Sequence, residues 1–418
     1  MRFLLLLAQQ NVDFRAAELR SIAEMLNINL NLENYTPDSP FMELDLESEE
    51  EAAMLVSRSI LSRAIYRIYS HGTTIDECHA QNKADLAQFE DLMGKSFKVE
   101  FSTYQSTRSK ESQLTEINKL SYLGLDGPIK LKNPDVRLVY VEKYGDGTHR
   151  LEEVWFTKLV SLSDRKAMDI YDLKKRRHVG TTSFEAELAL VTTNMAQIRP
   201  GDFVYDPFSG TGSFPLAAAH QGAHIFASDI DIRPLKKYGL NFDQYGTSHR
   251  FVDAFEMDFT HNAFHPRLKF DAIICDPPYG VRERIVVCGA AKPERFVGKE
   301  NIVVGNELSH RRRDYVATKK PYELSMMLND LFEFASARLN ENRRLSFWLP
   351  LEETEVADVE IPLHKDLEFR SVCVQKFTKW ERWLLTYQRR PYGVEGETRP
   401  LKLDDDFRTR YLNRYRNN

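Results

Sequence analysis

Apolar and polar positions follow two rhythms along this chain. Phe3–Ala8 is an unbroken apolar run after Arg2. It is too short for the apolar core of an export signal, and Gln9, Gln10 and Asn11 follow it in place of a small-residue cleavage site. The run predicts a buried first strand. From Phe14 to Leu26 the period lengthens, and Leu19, Ile22, Ala23 and Leu26 share one face of a predicted helix. Phe97–Phe101 and Val136–Glu142 predict strands, and Ser109–Leu123 predicts a helix. Residues 34–51 are acidic and turn-rich, as a solvated loop and helix start would be. Nothing up to residue 165 resembles a nucleophile, a phosphate loop or a metal cluster, so this half is expected to bind or scaffold.

The pattern changes after the basic run Asp172-Leu173-Lys174-Lys175-Arg176-Arg177-His178. From Thr182 onward helix, strand, loop, helix and strand succeed one another, which predicts a doubly wound parallel sheet. The basic run itself reads either as a charged linker or as an RNA-phosphate contact.

Composition narrows the class. The 418 residues suggest two or three domains. With 42% hydrophobic and 28% charged residues, the chain is neither disordered nor a fibre nor a disulfide-stapled miniature. A net charge of −5 means that any nucleic acid must be met by local patches. The four cysteines, Cys78, Cys275, Cys288 and Cys373, form no CxxC pair. No metal site is therefore expected in this chain, and a reducing, cytoplasmic setting is. No run approaches the roughly 20 apolar residues that span a membrane, so no membrane contact is expected.

Four strand ends carry the candidate chemistry. Phe203-Val204-Tyr205-Asp206 runs into Pro207-Phe208-Ser209-Gly210-Thr211-Gly212-Ser213, and a helix is expected from about Phe214 to Gln221. Glycines serve where backbone must approach a ligand or take a positive φ. No Gly-Lys-Ser/Thr follows, so this is not a P-loop, and the third glycine of the dinucleotide fingerprint is missing. A plain tight turn remains the other reading. The strand His224–Ser228 ends in Asp229, spaced from Asp206 as a ribose-gripping carboxylate would be. After Phe251–Phe255, Asp258 and Asp253 compete as acceptors for an adenine amino group, and either can simply cap a turn. Phe270–Cys275 ends in Asp276-Pro277-Pro278-Tyr279-Gly280. Two prolines fix the backbone and remove two N–H donors, which leaves carbonyls to face a substrate amino group. Asp276 can accept one of that group's hydrogens, and Tyr279 offers a flat face to a base. Residues 281–320 hold ten basic and five acidic residues, among them Arg311, Arg312 and Arg313. They read as an RNA-facing lid or as a solvated loop.

Together these residues resemble the class I S-adenosylmethionine-dependent amino-methyltransferases. The order Lys175–Ala186, Asp206–Gly212, Ser228–Asp231, Asn241–Gly246 and Asp276–Glu283 is similar to that of the THUMP-containing RNA methyltransferases. Leu4–Gln9, Asp13-Phe14-Arg15, Glu18-Leu19 and Phe347-Trp348-Leu349-Pro350 narrow the resemblance to the catalytic subunits that methylate N2 of guanosine 10 in eukaryotic tRNA. Ser209 and Ser213 differ from commoner choices in the family.

The resemblance implies an α/β chain in four parts. These are an α+β ferredoxin-like and THUMP RNA-binding region at 1–165, a basic linker at 166–185, a class I Rossmann-like domain at 186–395 with a seven-stranded, mostly parallel sheet, and a tail at 396–418. It implies S-adenosyl-L-methionine as cofactor, with Asp206, Phe208, Gly210 and Gly212 at the methionine end, Asp229 at the ribose, Asp258 at the adenine, and Thr182 and Ser183 nearby. It puts the base between Asp276 and Tyr279. Lys174, Lys175, Arg176, Arg177, Arg311, Arg312 and Arg313 are the expected RNA contacts. It further implies a heterodimer with a small zinc-binding activator protein, for which the expected edge strand Arg250 to Phe255 is the candidate dock. Methylation of another RNA at guanine N2 or adenine N6, and an inactive RNA-binding scaffold, are the competing functions.

Overall fold

Phe3, Leu5 and Leu7 enter one apolar core while Leu4 enters another. The first run is thus a strand buried on both faces, with the period of two that a pleated backbone imposes. The computed structural model describes residues 1–400 apart from 281–282, 291, 293, 295–296, 298–301, 313–314, 316, 353–358 and 379. The chain divides into two units between Arg165 and Lys166.

The first unit is built on a six-stranded sheet. Its strands are β1 (Arg2–Leu7), β2 (Phe41–Asp45), β3 (Ser62–Gly72), β4 (Phe97–Tyr104), β5 (Val136–Tyr144) and β6 (Leu151–Leu162), in the order β2-β1-β3-β6-β5-β4. Helices α1 (Val12–Leu26) and α2 (Glu49–Arg58) cover one end of a face through Leu19, Ile22, Leu55 and Val56. Helix α3 (Ile75–Ala84) covers the β4–β6 end with Ile75 and Cys78, and α4 (Lys110–Asn118) buries none of its residues. The fully buried Glu18 of α1 accepts the Ile60 and Leu61 N–H groups, both at 2.9 Å, and the Ser59 hydroxyl at 2.8 Å. A buried carboxylate is tolerable only with such partners, and here they pin α1 to the turn before β3.

The second unit begins with α5 (Lys166–Ile170) and α6 (Ala186–Met195). Strands β7 (Phe203–Asp206), β8 (His224–Asp229), β9 (Phe251–Glu256) and β10 (Phe270–Cys275) follow, separated by α7 (Ser213–His220), α8 (Ile232–Leu235) and α9 (Gly239–Gln244). Beyond β10, β11 (Val286–Cys288) pairs with β14 (Lys319–Pro321), and β12 (Val303–Val304) with β13 (Glu307–Leu308). Helix α10 (Leu324–Arg338) and strands β15 (Leu339–Glu352), β16 (Leu367–Lys376) and β17 (Trp380–Arg389) complete it.

The main sheet runs β16-β17-β15-β10-β7-β8-β9. β9, β8, β7, β10 and β15 are parallel, and β17 runs against both of its neighbours. Ala272–Cys275 of β10 are all buried, the continuous apolar run of a strand covered on both faces. From β7 the chain winds first toward β8 and β9, then returns to the other side at β10. That reversal opens a crevice at the carboxyl ends of β7 and β10, where open α/β sheets take their ligands.

Candidate active site

Three aspartates end three strands of that sheet: Asp206 on β7, Asp229 on β8, and Asp276 one residue past β10. Asp206 is 1% exposed. Its Oδ1 accepts the Phe208 N–H at 3.0 Å, while its Oδ2 has no partner. Burial drives its pKa well above the carboxylate range, the charges of Asp229 and Asp276 add to this, and the Phe208 N–H opposes it. Burial likewise raises Asp229 to about 6, against the N–H groups of Asp231 and Gly210. Those two groups bond the Asp229 carboxylate at 2.8 and 2.9 Å.

The loop after β7 needs its glycines. Gly210 and Gly212 have φ of 49° and 88°, a left-handed backbone that costs side-chain-bearing residues. At Gly212 a Cβ would also lie 3.0 Å from the Tyr238 ring. The segment before α6 is lashed to this loop. Ser183 and Thr211 share a hydroxyl contact of 2.6 Å, and the Ser213 hydroxyl donates to the Phe184 carbonyl at 3.0 Å.

On the other side, the Tyr279 hydroxyl donates to Asp276 Oδ1. Burial lifts Asp276 to about 6; the Arg382 charge and the Tyr279 hydroxyl pull it down, and Glu283 pushes it up. The cleft between these elements has a volume of about 420 Å³. Thr182, Ser183, Phe208, Gly210 and all of Asp276–Tyr279 line it. Asp206, Asp229 and Gly212 do not line it, but Asp229 and Asp206 accept the N–H groups of the lining residues Gly210 and Phe208. Buried carboxylates held above their usual pKa favour a cationic ligand, which relieves their mutual repulsion.

The far wall comes from residues that sequence reasoning missed. Gln375 of β16, Phe377, and Trp380 and Arg382 of β17 line the cleft with Phe184, Glu185 and Glu283. Phe377 and Trp380 stack at the hairpin tip with centroids 4.2 Å apart and planes at 6°. An aromatic pair flanking a tight turn was the available signal, but nothing local ties it to a strand end a hundred residues earlier.

One expected contact is corrected. Arg176 is not an RNA-phosphate contact: it is 7% exposed, donating to the Tyr171 carbonyl at 3.0 Å and the Ser213 hydroxyl at 2.7 Å. Segment 166–185 therefore packs into the second unit, although Lys174, Lys175 and Arg177 are exposed. Asp258, like Asp206, Asp229 and Gly212, is not among the residues that line the cleft. Its Oδ1 caps the turn Phe259–His261 through the Thr260 N–H at 2.9 Å, and its Oδ2 accepts the Cys288 N–H at 2.7 Å. Arg311 is exposed and Arg312 half-buried, while Arg313 lies outside the described residues.

Comparison with known proteins agrees with this division. The family model described as the Tmrp11 THUMP N-terminal domain matches residues 1–165, and that of the RMKL-like methyltransferase domain matches 174–285. The tRNA (guanine(10)-N(2))-methyltransferase of Saccharomyces cerevisiae is 41% identical over 99% of both chains. The chain belongs to the tRNA (guanine(10)-N(2))-methyltransferase family. The Schizosaccharomyces pombe member is 37% identical over 87% of this chain and 76% of its own. Among solved structures, TrmN from Thermus thermophilus aligns over 93% of this chain and 100% of that one, with a TM-score of 0.42 and 17% identity. As a member of this family, the chain carries a class I methyltransferase domain on its seven-stranded sheet, behind a THUMP unit. Among the described residues, no helix is long and apolar enough to cross a membrane.

Proposed function

We propose that this chain is the catalytic subunit of a tRNA methyltransferase that moves a methyl group from S-adenosyl-L-methionine to the exocyclic N2 of guanosine 10. The observation that carries the reading is the meeting of the Asp276–Tyr279 turn with the glycine loop across one cleft. The Saccharomyces cerevisiae relative, matched along 99% of this chain, bears that base, nitrogen and RNA in its name.

The residues fit the cofactor. The cofactor is cationic at both sulfonium and α-amino group, and Asp206 offers a buried oxygen with no other partner. Asp206, Phe208, Gly210 and Gly212 would border the methionine end, with Thr182 and Ser183 beside them. Asp229 would accept the ribose hydroxyls. When bound, S-adenosyl-L-methionine supplies an electrophilic methyl group.

The remaining work falls to the protein. Guanine 10 must leave its stack, at a cost of a few kcal/mol. Stacking on an aromatic ring such as Tyr279 returns about 1–3 kcal/mol, and Phe377 and Trp380 add a second aromatic surface to the cleft. Pro277 and Pro278 line the cleft with fixed φ and no N–H to repel the amino group's hydrogens. Asp276 accepts a hydrogen bond from N2 and takes its proton as the nitrogen is methylated, a contribution of about 10²–10⁴-fold. Alignment of the two reacting groups supplies up to roughly 7–11 kcal/mol.

Lys174, Lys175, Arg177, Arg311 and Arg312 are the proposed phosphate contacts. The proposed partner is a small zinc-binding activator that adds a strand to β9, the free edge of the sheet. Four free cysteines suit a cytoplasmic setting.

The test is labelled methyl transfer to unmodified tRNA, with and without the activator, followed by nuclease digestion and mass spectrometry. N2-methylguanosine at position 10 is the expected product. A different methylated nucleoside, or none from the complete heterodimer, overturns the reading.

A further inference from the structure

Among the described residues, the carboxylates of Glu185, Asp276 and Glu283 line the cleft. The reaction proposed above uses Asp276 alone. Glu185 is tied into the far wall, where its Oε1 accepts Arg382 Nη2 at 3.3 Å and Gln375 Nε2 at 3.0 Å. Glu283 has no such neighbours. It is exposed, and its hydrogen bond among the described residues comes from the Thr182 hydroxyl, which donates to Oε1 at 2.6 Å. That bond orients the carboxylate and leaves Oε2 without a described donor. Two carboxylates on one cleft repel each other unless a group with several hydrogens separates them.

The Asp276–Tyr279 turn does not choose among bases. Its acceptor serves any ring-bound amino group, and its aromatic face serves any base. The atom beside the amino group is what differs. In guanine N2 adjoins N1–H, a second donor. In adenine and cytosine the amino group adjoins a bare ring nitrogen, an acceptor. A second carboxylate in the cleft therefore accepts from guanine and repels the other two. We propose that Glu283 is a specificity-determining residue: its carboxylate, oriented by Thr182, accepts the N1–H of the target guanine while Asp276 accepts from N2. This deepens the function proposed above and rests on it for the reacting nitrogen. A site built to accept from an N–H discriminates strongly against an analogue that lacks it, because the buried acceptor is then left unpaired.

The test uses the full chain with its activator and two tRNAs made by ligation, one with guanosine at position 10 and one with 2-aminopurine there. 2-Aminopurine keeps the amino group at C2 and replaces N1–H by a bare nitrogen. In the wild type, kcat/KM should favour guanosine by about tenfold or more, as the loss of a hydrogen bond to a charged acceptor gives. Glu283→Gln keeps the strap, because its amide oxygen takes the Thr182 hydroxyl and its amide N–H groups then face the base. This variant should lose activity on guanosine, gain it on 2-aminopurine and so erase the preference. 2-Aminopurine also lacks O6, but that loss is common to both proteins and cancels in the ratio. An unchanged ratio, or an equal fall on both RNAs, overturns the proposal. Calorimetry should find cofactor affinity within about twofold of wild type; a larger loss would place Glu283 on the cofactor instead. A further measurement needs no turnover. With S-adenosylhomocysteine bound, the guanosine RNA should out-compete the 2-aminopurine RNA for the wild type and not for Glu283→Gln. That result in a protein that makes no N2-methylguanosine would keep the recognition of N1 and reject the proposed reaction. Equal competition for the wild type would reject the recognition of N1 even where methylation proceeds.

Discussion

Thr182 donates its hydroxyl to Glu283 at 2.6 Å, joining the segment before α6 to the chain just beyond the Asp276–Tyr279 turn. Both side chains line the cleft. The bond therefore closes a strap over a space that two separate stretches of chain define.

Removing the strap should loosen the site without unfolding it. Thr182→Val keeps the shape and loses the donor. We expect the cofactor dissociation constant to rise about fivefold, the factor that one hydrogen bond of about 1 kcal/mol gives. Isothermal titration calorimetry reads this directly, and an unchanged constant would mean that the strap holds nothing the cofactor needs.

Asp276 should separate binding from chemistry. Asp276→Asn keeps the size and removes the basic oxygen, so turnover should fall at least a hundredfold while cofactor affinity stays within about twofold. In the wild type, burial holds the Asp276 pKa at about 6, above its ordinary value. The ionised form is the active one, so the rate should climb as pH rises through about 6 and level off above it. A rate that falls over that interval would contradict the assignment.

Asp206 predicts a trade between stability and function. Burial raises its folded pKa well above that of the unfolded chain, so near neutral pH the folded state bears a cost that the unfolded chain does not. Its contribution to stability therefore improves as pH falls through the folded pKa. Asp206→Asn preserves an acceptor for the Phe208 N–H and removes the charge. Scanning calorimetry at pH 7.5 should show Tm raised by roughly 2–4 °C, with the gain shrinking in acid, and cofactor binding should be lost. A lowered Tm would show that the charge is compensated.

Strand β9 offers a test of the partner. Phe251 is turned inward, 4.9 Å from the Phe242 ring and 5.5 Å from Tyr238. Val252, 47% exposed, is the better handle on the free edge. Val252→Asp should abolish co-purification with the activator and leave cofactor affinity unchanged. An intact complex would move the dock elsewhere.

Much of the fold lay open in local patterns. The run Phe3–Ala8 became β1, Phe14–Leu26 became α1, and the strand before Asp276 became β10, because an apolar run bounded by turn residues is read within a few positions. Asp206, Gly210, Asp229 and Asp276 were visible as strand ends and turns for the same reason. The far wall was not. Arg382, Gln375, Phe377 and Trp380 reach the cleft only because β17 inserts antiparallel between β15 and β16, and no local pattern announces an insertion. Arg176 misled in the opposite sense: in a run of Lys and Arg it reads as surface, and only its distant partner Ser213 accounts for its burial. Asp258 stood between an adenine acceptor and a turn cap, and the Cys288 N–H that occupies it comes from thirty residues on.

The insertion of β17 also dictates a timetable for biosynthesis. A ribosome delivers the glycine loop, the strand-end aspartates and the Asp276–Tyr279 turn well before the hairpin that carries Arg382. Until Trp380–Arg389 emerges, β15 presents a raw edge and the cleft lacks one side, so a nascent chain has a half-built pocket and an adhesive margin. A chain cut short before that hairpin would keep the glycine loop and leave β15 without its antiparallel neighbour.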